Sequence, residues 1–168
     1  SGECTPEIKG ESTLIFGTSS ASYTGTISAD IADFDRMEIS NSATTVAFEK
    51  AFSVSVIQVA AEAKATLADG TAFEKLVLAF DSDFAQGDTG NVDLETIFGS
   101  STSVVLSALQ DGSGASLTVK DGSGQEWSLA SEDFSDNTIS FVVGTQVPEP
   151  AEWAAIFGAV ALALAAYS

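Results

Sequence analysis

The chain has 168 residues, enough for one domain with a buried core and short for two. Six Lys and Arg stand against 24 Asp and Glu, a formal net charge of −18, which argues against nucleic acid as a partner and leaves divalent cations and basic surfaces open. There is no His, which excludes Ser-His-Asp and Cys-His nucleophile systems and His-based zinc sites.

The acidity also has a plainer use, since a large net charge keeps an extracellular protein soluble. Disorder fits poorly with a chain that is 45% hydrophobic and holds 11 Phe. The first segment, residues 1–10, opens Ser1-Gly2-Glu3 with no initiator Met, as expected if a secretory leader has been removed. The single cysteine, Cys4, excludes an intrachain disulfide. It is not the first residue, as a lipoprotein anchor would be, which leaves a free thiol or an intersubunit bond.

From residue 11 to 146 the pattern predicts a single β domain. Leu14-Ile15-Phe16 ends at Gly17, and Tyr23 to Ser28, Arg36 to Ser40, Thr44 to Phe48 and Phe52 to Val59 follow as strands. The span Ala63 to Phe80 reads as a hairpin turning at Asp69-Gly70, although its first residues also suit a short helix. Asp81 to Gly90 reads as an acidic loop, and Asn91 as the cap of a helical turn over Val92 to Phe98. Thr102 to Leu109 is expected to be a strand. Leu117 and Val119 face Trp127 and Leu129 across the turn Asp121-Gly122-Ser123-Gly124, and Asn137 to Thr145 supplies the last strand.

Nine or ten closely spaced strands without a βαβ rhythm point to an antiparallel β-sandwich or jelly roll followed by a C-terminal hydrophobic helix. Two Asp-Gly-Ser-Gly turns ten residues apart have unlike flanks and do not define a repeat.

Chemistry-bearing patterns are sparse. Asp81, Asp83 and Asp88, with Asp93 and Glu95 behind them, offer hard oxygen ligands for Ca²⁺, but Ala85 and Gln86 break the EF-hand spacing. Solvated loop acids are the competing account. Asp30, Asp33 and Asp35 form a second acidic group of the same kind. Trp127 and Tyr23 are candidates for stacking on sugars, although the hairpin pattern assigns Trp127 to a core face. No phosphate-binding glycine loop opens a helix, no catalytic residue set is expected, and no cofactor is required apart from the Ca²⁺ option.

After the last strand comes Val147-Pro148-Glu149-Pro150, whose prolines force extended backbone on the preceding residues. This short linker leads into residues 151–168, where Trp153 to Tyr167 is an uncharged run of 15 residues, expected to be a helix with membrane association at least during export. Ala155, Ala159 and Ala163 recur every four residues with Gly158 and Leu162 alongside, a spacing that lets helices approach closely.

This tail resembles a PEP-CTERM sorting signal, found in Gram-negative bacteria with extracellular polysaccharide systems. Residues 147–167 match its Pro-Glu-Pro motif and hydrophobic segment, with an adjoining aromatic at Trp153; the terminal Arg-rich cluster is absent, whether clipped or lying beyond this chain. The resemblance implies export across the inner membrane, recognition by an exosortase-like processing enzyme and a cell-surface or extracellular location. It implies nothing about the β domain. Taken together, these features lead to the expectation of a non-enzymatic surface protein that assembles with copies of itself through Trp153, Ala155, Gly158, Ala159, Leu162, Ala163 and Tyr167 into a fibre or biofilm matrix layer. The alternative is an envelope-anchored adhesin that binds exopolysaccharide, and a hydrolase using paired carboxylates comes third.

Overall fold

The computed structural model describes residues 13–18, 20–31, 34–110 and 114–147. Strands β1 (Thr13–Phe16), β3 (Arg36–Ile39), β5 (Ser53–Ala60), β7 (Ala72–Ala79) and β9 (Ser116–Lys120) lie side by side, all parallel, in one sheet. The strands between them, β2 (Thr24–Ile27), β4 (Thr45–Phe48) and β6 (Lys64–Thr66), form a second parallel sheet. The chain therefore winds as a coil, laying one strand in each sheet per turn. Thr13 pairs with Arg36, Arg36 with Val56 and Val56 with Lys75, offsets of 23, 20 and 19 residues. This is a β-solenoid.

The solenoid ends in an antiparallel part. Strands β10 (Glu126–Ser135) and β11 (Thr138–Val147) form a hairpin, with β9 on one side and β8 (Thr89–Asp93) on the other. Between β8 and β9 run helix α1 (Leu94–Phe98), a 3₁₀ turn (Gly99–Ser101) and helix α2 (Thr102–Gln110). The first two pack against β6, where a further strand of the small sheet would otherwise sit. Ser101 secures them: its hydroxyl accepts from the Leu67 N–H at 3.0 Å and donates to the Phe98 carbonyl at 2.6 Å.

In-register stacks hold the coils together. Leu14, Met37, Ile57, Leu76 and Leu117 form one interior ladder, and Phe16, Ile39, Val59, Leu78 and Val119 the next. Most of these side chains are fully buried, each stabilising the fold by about 2 kcal/mol. The small sheet supplies Val46, Phe48 and Ala65 from the other side. Phe48 packs edge-on against Phe16 with ring centres 5.5 Å apart, and Phe52 follows at 5.0 Å.

The fold corrects the expected antiparallel sandwich. Period-two alternation marks a half-buried strand whatever the direction of its neighbour, so the strand positions came out near 13–16, 24–27, 36–39, 45–48 and 53–60 while their partners did not. The expected hairpin over Ala63 to Phe80 is split: β6 and β7 belong to different sheets, and the Asp69-Gly70 turn is a corner of the coil. Thr102 to Leu109 is helical because Thr102, Val105, Leu106 and Leu109 turn one side inward at helical spacing. The other helical turn is capped by Asp93, whose Oδ1 accepts from the Glu95 N–H at 3.0 Å, while Asn91 lies within β8.

No helix among the described residues is long and apolar enough to cross a membrane, so the expected membrane-associated hydrophobic helix, as a transmembrane helix, has no counterpart there. Val147, the first residue of the expected linker, ends β11, and its carbonyl accepts from Gln125 Nε2 at 3.1 Å. Pro148, Glu149 and Pro150 and the run from Trp153 to Tyr167 lie outside the described residues, as do Cys4 and Asp33.

Candidate functional site

Parallel stacking brings together side chains that the linear pattern leaves scattered. Outward positions of the large sheet align Arg36, Val56, Lys75 and Ser116 in one ladder, and Glu38, Gln58, Val77 and Thr118 in the next. Arg36 Nε sits 2.6 Å from Glu38 Oε2, and its Nη2 donates to Gln58 Oε1. Gln58 Oε1 also accepts from Lys120 Nζ at 3.5 Å. Lys75 is ion-paired with Glu126, whose Oε2 takes the Thr118 hydroxyl at 2.8 Å. Three of the chain's six basic residues thus lie on one face, half-buried and engaged with carboxylates or an amide. These contacts tie β3 to β5 and β9 to β10, and reach over one intervening strand from β5 to β9 and from β7 to β10.

Among the described residues, Asp121 is the carboxylate with the most hydrogen-bond donors. It begins the β9–β10 turn, is 6% exposed, and accepts from Ser123 Oγ at 2.6 Å, Trp127 Nε1 at 2.9 Å, the Ser123 and Gln125 N–H groups at 3.0 Å and the Phe84 N–H at 3.4 Å. Burial opposes its ionisation, but the hydrogen bonds, led by Ser123 and Trp127, outweigh burial and lower its pKa from 3.8 to about 2. The turn also docks on the loop after β7. The Gly122 N–H donates to the Ser82 carbonyl at 2.9 Å, and a Cβ at Gly122 would stand 2.1 Å from the Asp81 carbonyl oxygen.

The residues singled out from the sequence do not converge. Asp81, Asp83 and Asp88 are all exposed, and among the described residues no three acidic or thiol side chains are placed to share a metal ion. Asp88 Oδ2 instead accepts from the Ala85 N–H at 2.8 Å, and Asp93 caps α1. Asp30 pairs with Lys50 at 3.5 Å on the surface, and the Asp35 carbonyl holds the Ser55 and Val56 N–H groups. Trp127 is buried against Asp121, and Tyr23 packs on Phe16 with ring centres 5.4 Å apart.

A groove runs along one corner of the solenoid, made of two adjoining cavities of about 170 and 240 Å³. Its floor is Ala60 and Ala79, paired in register on β5 and β7, with half-buried Phe80 beside them. The rim holds Ser42, Glu62, Asp81 and Ser82, all exposed. The sequence signalled the corners through their Gly, Ser, Asn and Asp content. That three corners stack was hidden without the parallel register.

Compared with known proteins, the chain matches no family model, no curated protein and no solved structure. The fold and the polar face define a β-solenoid with a charged ladder on its broad side.

Proposed function

We propose that this chain is an exported bacterial surface protein whose role is structural, self-assembling into an extracellular fibre or matrix layer. The observation that carries this reading is the contrast between the two ends of the coil. At the start, β1 and β2 are the outermost strands of their sheets among the described residues, and their sequences, TLIF and TGTI, carry no charge. Uncharged open edges are templates for another strand, and the usual protections are a charge, a proline or a bulge. At the far end, β6 is covered by residues 94–101 and β8 terminates in Asp93.

In a chain of net charge −18, copies approach at least cost where the surface is neutral. Ile15, 53% exposed, marks that place on β1. Pairing β1 with β1 of a second copy about a two-fold axis gives a dimer. A second contact, through the apolar run from Trp153 to Tyr167 with its Ala155, Ala159 and Ala163 spacing, would extend dimers into a chain. The resemblance of residues 147–167 to a sorting signal supports export.

Electron microscopy of the full chain at low and at about 1 M salt tests this, high salt screening the like charges. Linear assemblies are expected. They should shorten to dimers when residues 151–168 are removed, and to tail-linked pairs in Ile15→Lys/Thr26→Lys. Monomers under every condition would overturn the proposal.

A further inference from the structure

We infer that the corner groove binds an extended neutral polysaccharide, a function separate from assembly because the groove lies on the side of the coil and is complete in one subunit. Three successive turns build it. Ser40, Asn41 and Ser42 follow β3, Ala60 to Glu62 end β5, and Ala79 to Ser82 end β7. Coils rise by one strand spacing, so three corners extend about 10 Å along the axis, longer than a single sugar ring.

The groove exists because alanine recurs at the same ladder position. Ala60 pairs with Ala79, and the residues just before them, Val59 and Leu78, are paired core side chains that fix the register. Two small side chains, one above the other, leave a channel. Phe80 lines its end, half-buried, with its ring packed on the core between Phe84 and Phe141 at centre distances of 5.4 and 5.9 Å, so that it firms the apolar wall against which a sugar ring would lie.

The rim supplies the polar half of carbohydrate recognition. The side chains of Glu62, Asp81, Ser42 and Ser82 make no hydrogen bond or ion pair with the described residues. Carboxylates accept from hydroxyl donors, and charge-assisted bonds of this kind are the strong ones. Asn41 is already committed, donating to the Thr18 carbonyl at 2.7 Å and accepting from the Ala43 N–H at 2.8 Å, and so shapes the corner instead of binding.

The same acids determine which polymer fits. Two carboxylates on a chain of net charge −18 repel a uronate or sulfated polymer. A metal ion fits poorly, because no three acids converge among the described residues. A neutral chain of hydroxyl-bearing rings satisfies both the acceptors and the apolar floor.

Titration calorimetry with the full chain tests the inference, using neutral hexasaccharides of glucose, mannose and galactose, with a hexauronate as the charged comparison. At least one neutral hexasaccharide should bind with Kd below about 1 mM. Hydrogen exchange should then slow in the peptides covering residues 39–43, 60–63 and 79–83. Glu62→Gln and Asp81→Asn are exposed changes that leave the fold intact, and each should weaken binding about tenfold. No binding by any neutral hexasaccharide, protection confined to other segments, unchanged affinity in both variants, or tighter binding of the hexauronate would each overturn it. The Ile15→Lys/Thr26→Lys variant should bind as well as the unmodified chain, so failure of assembly and failure of sugar binding are read separately.

Discussion

Replacing Asp121 with Asn should destabilise the domain and do so in a pH-dependent way. The carboxylate's pKa is about 2 in the fold against an ordinary 3.8, which corresponds to about 2 kcal/mol of stabilisation. Because the folded value is the lower one, that contribution is complete above pH 3.8 and is lost as the pH falls towards 2. Asn retains one acceptor oxygen but turns an NH₂ towards donors that previously met oxygen, leaving a buried N–H unpaired. The total cost at neutral pH is then about 3 kcal/mol, or roughly 10 °C in Tm for a domain of this size. Urea unfolding followed by Trp127 fluorescence measures it, in a Trp153→Phe background that removes the only other Trp. The other acids are common to both proteins, so the stability difference between them isolates Asp121. A difference within about 0.5 kcal/mol at pH 7, or one that persists undiminished to pH 2, would refute the reasoning.

Three further outcomes follow from the same geometry. Raising salt from about 0.1 to 1 M shortens the Debye length from about 10 to 3 Å, so Tm should rise steadily, 24 acids facing only six basic residues; a fall on thermal scanning would show that the half-buried ion pairs outweigh the general repulsion. Gly122→Ala should cost at least about 2 kcal/mol in urea unfolding, because the new Cβ meets the Asp81 backbone oxygen, which cannot swing away. Thr71→Val should be neutral or stabilising by up to about 1 kcal/mol, since the buried Thr71 hydroxyl is without a hydrogen-bond partner among the described residues and valine has the same shape.

The strands were legible because alternation reports burial, and Met37 with Ile39 or Leu117 with Val119 alternate cleanly against polar neighbours. The β9–β10 hairpin was legible because its turn is local and spelled out by Asp121-Gly122-Ser123-Gly124. What pairs Leu14 with Met37 and Met37 with Ile57 is long-range and parallel, and offsets of 23, 20 and 19 residues carry no repeated motif. The same gap hid the charged face: Arg36 and Lys75 look unrelated until the register aligns them, and so do the partners they meet on adjoining ladders, Gln58 and Glu126. The acidic loop misled in the opposite sense. Asp81, Asp83 and Asp88 are close in sequence yet dispersed, while Asp121, which read only as a turn residue, collects five donors because its turn folds inward on Phe84 and Trp127. The tail motif is read from sequence alone, since 148–168 lie outside the described residues.

The central claim, that the coil associates through its first strand, is tested most directly by disulfide trapping in a Cys4→Ser background. Across a two-fold β1–β1 pairing, facing Cα atoms stand about 4.5–5.5 Å apart, within reach of a disulfide. Under mild oxidation at high salt, at least one of Thr13→Cys, Leu14→Cys and Ile15→Cys should form a covalent dimer much faster than the exposed control Ser100→Cys. Equal rates at all four positions would contradict the account.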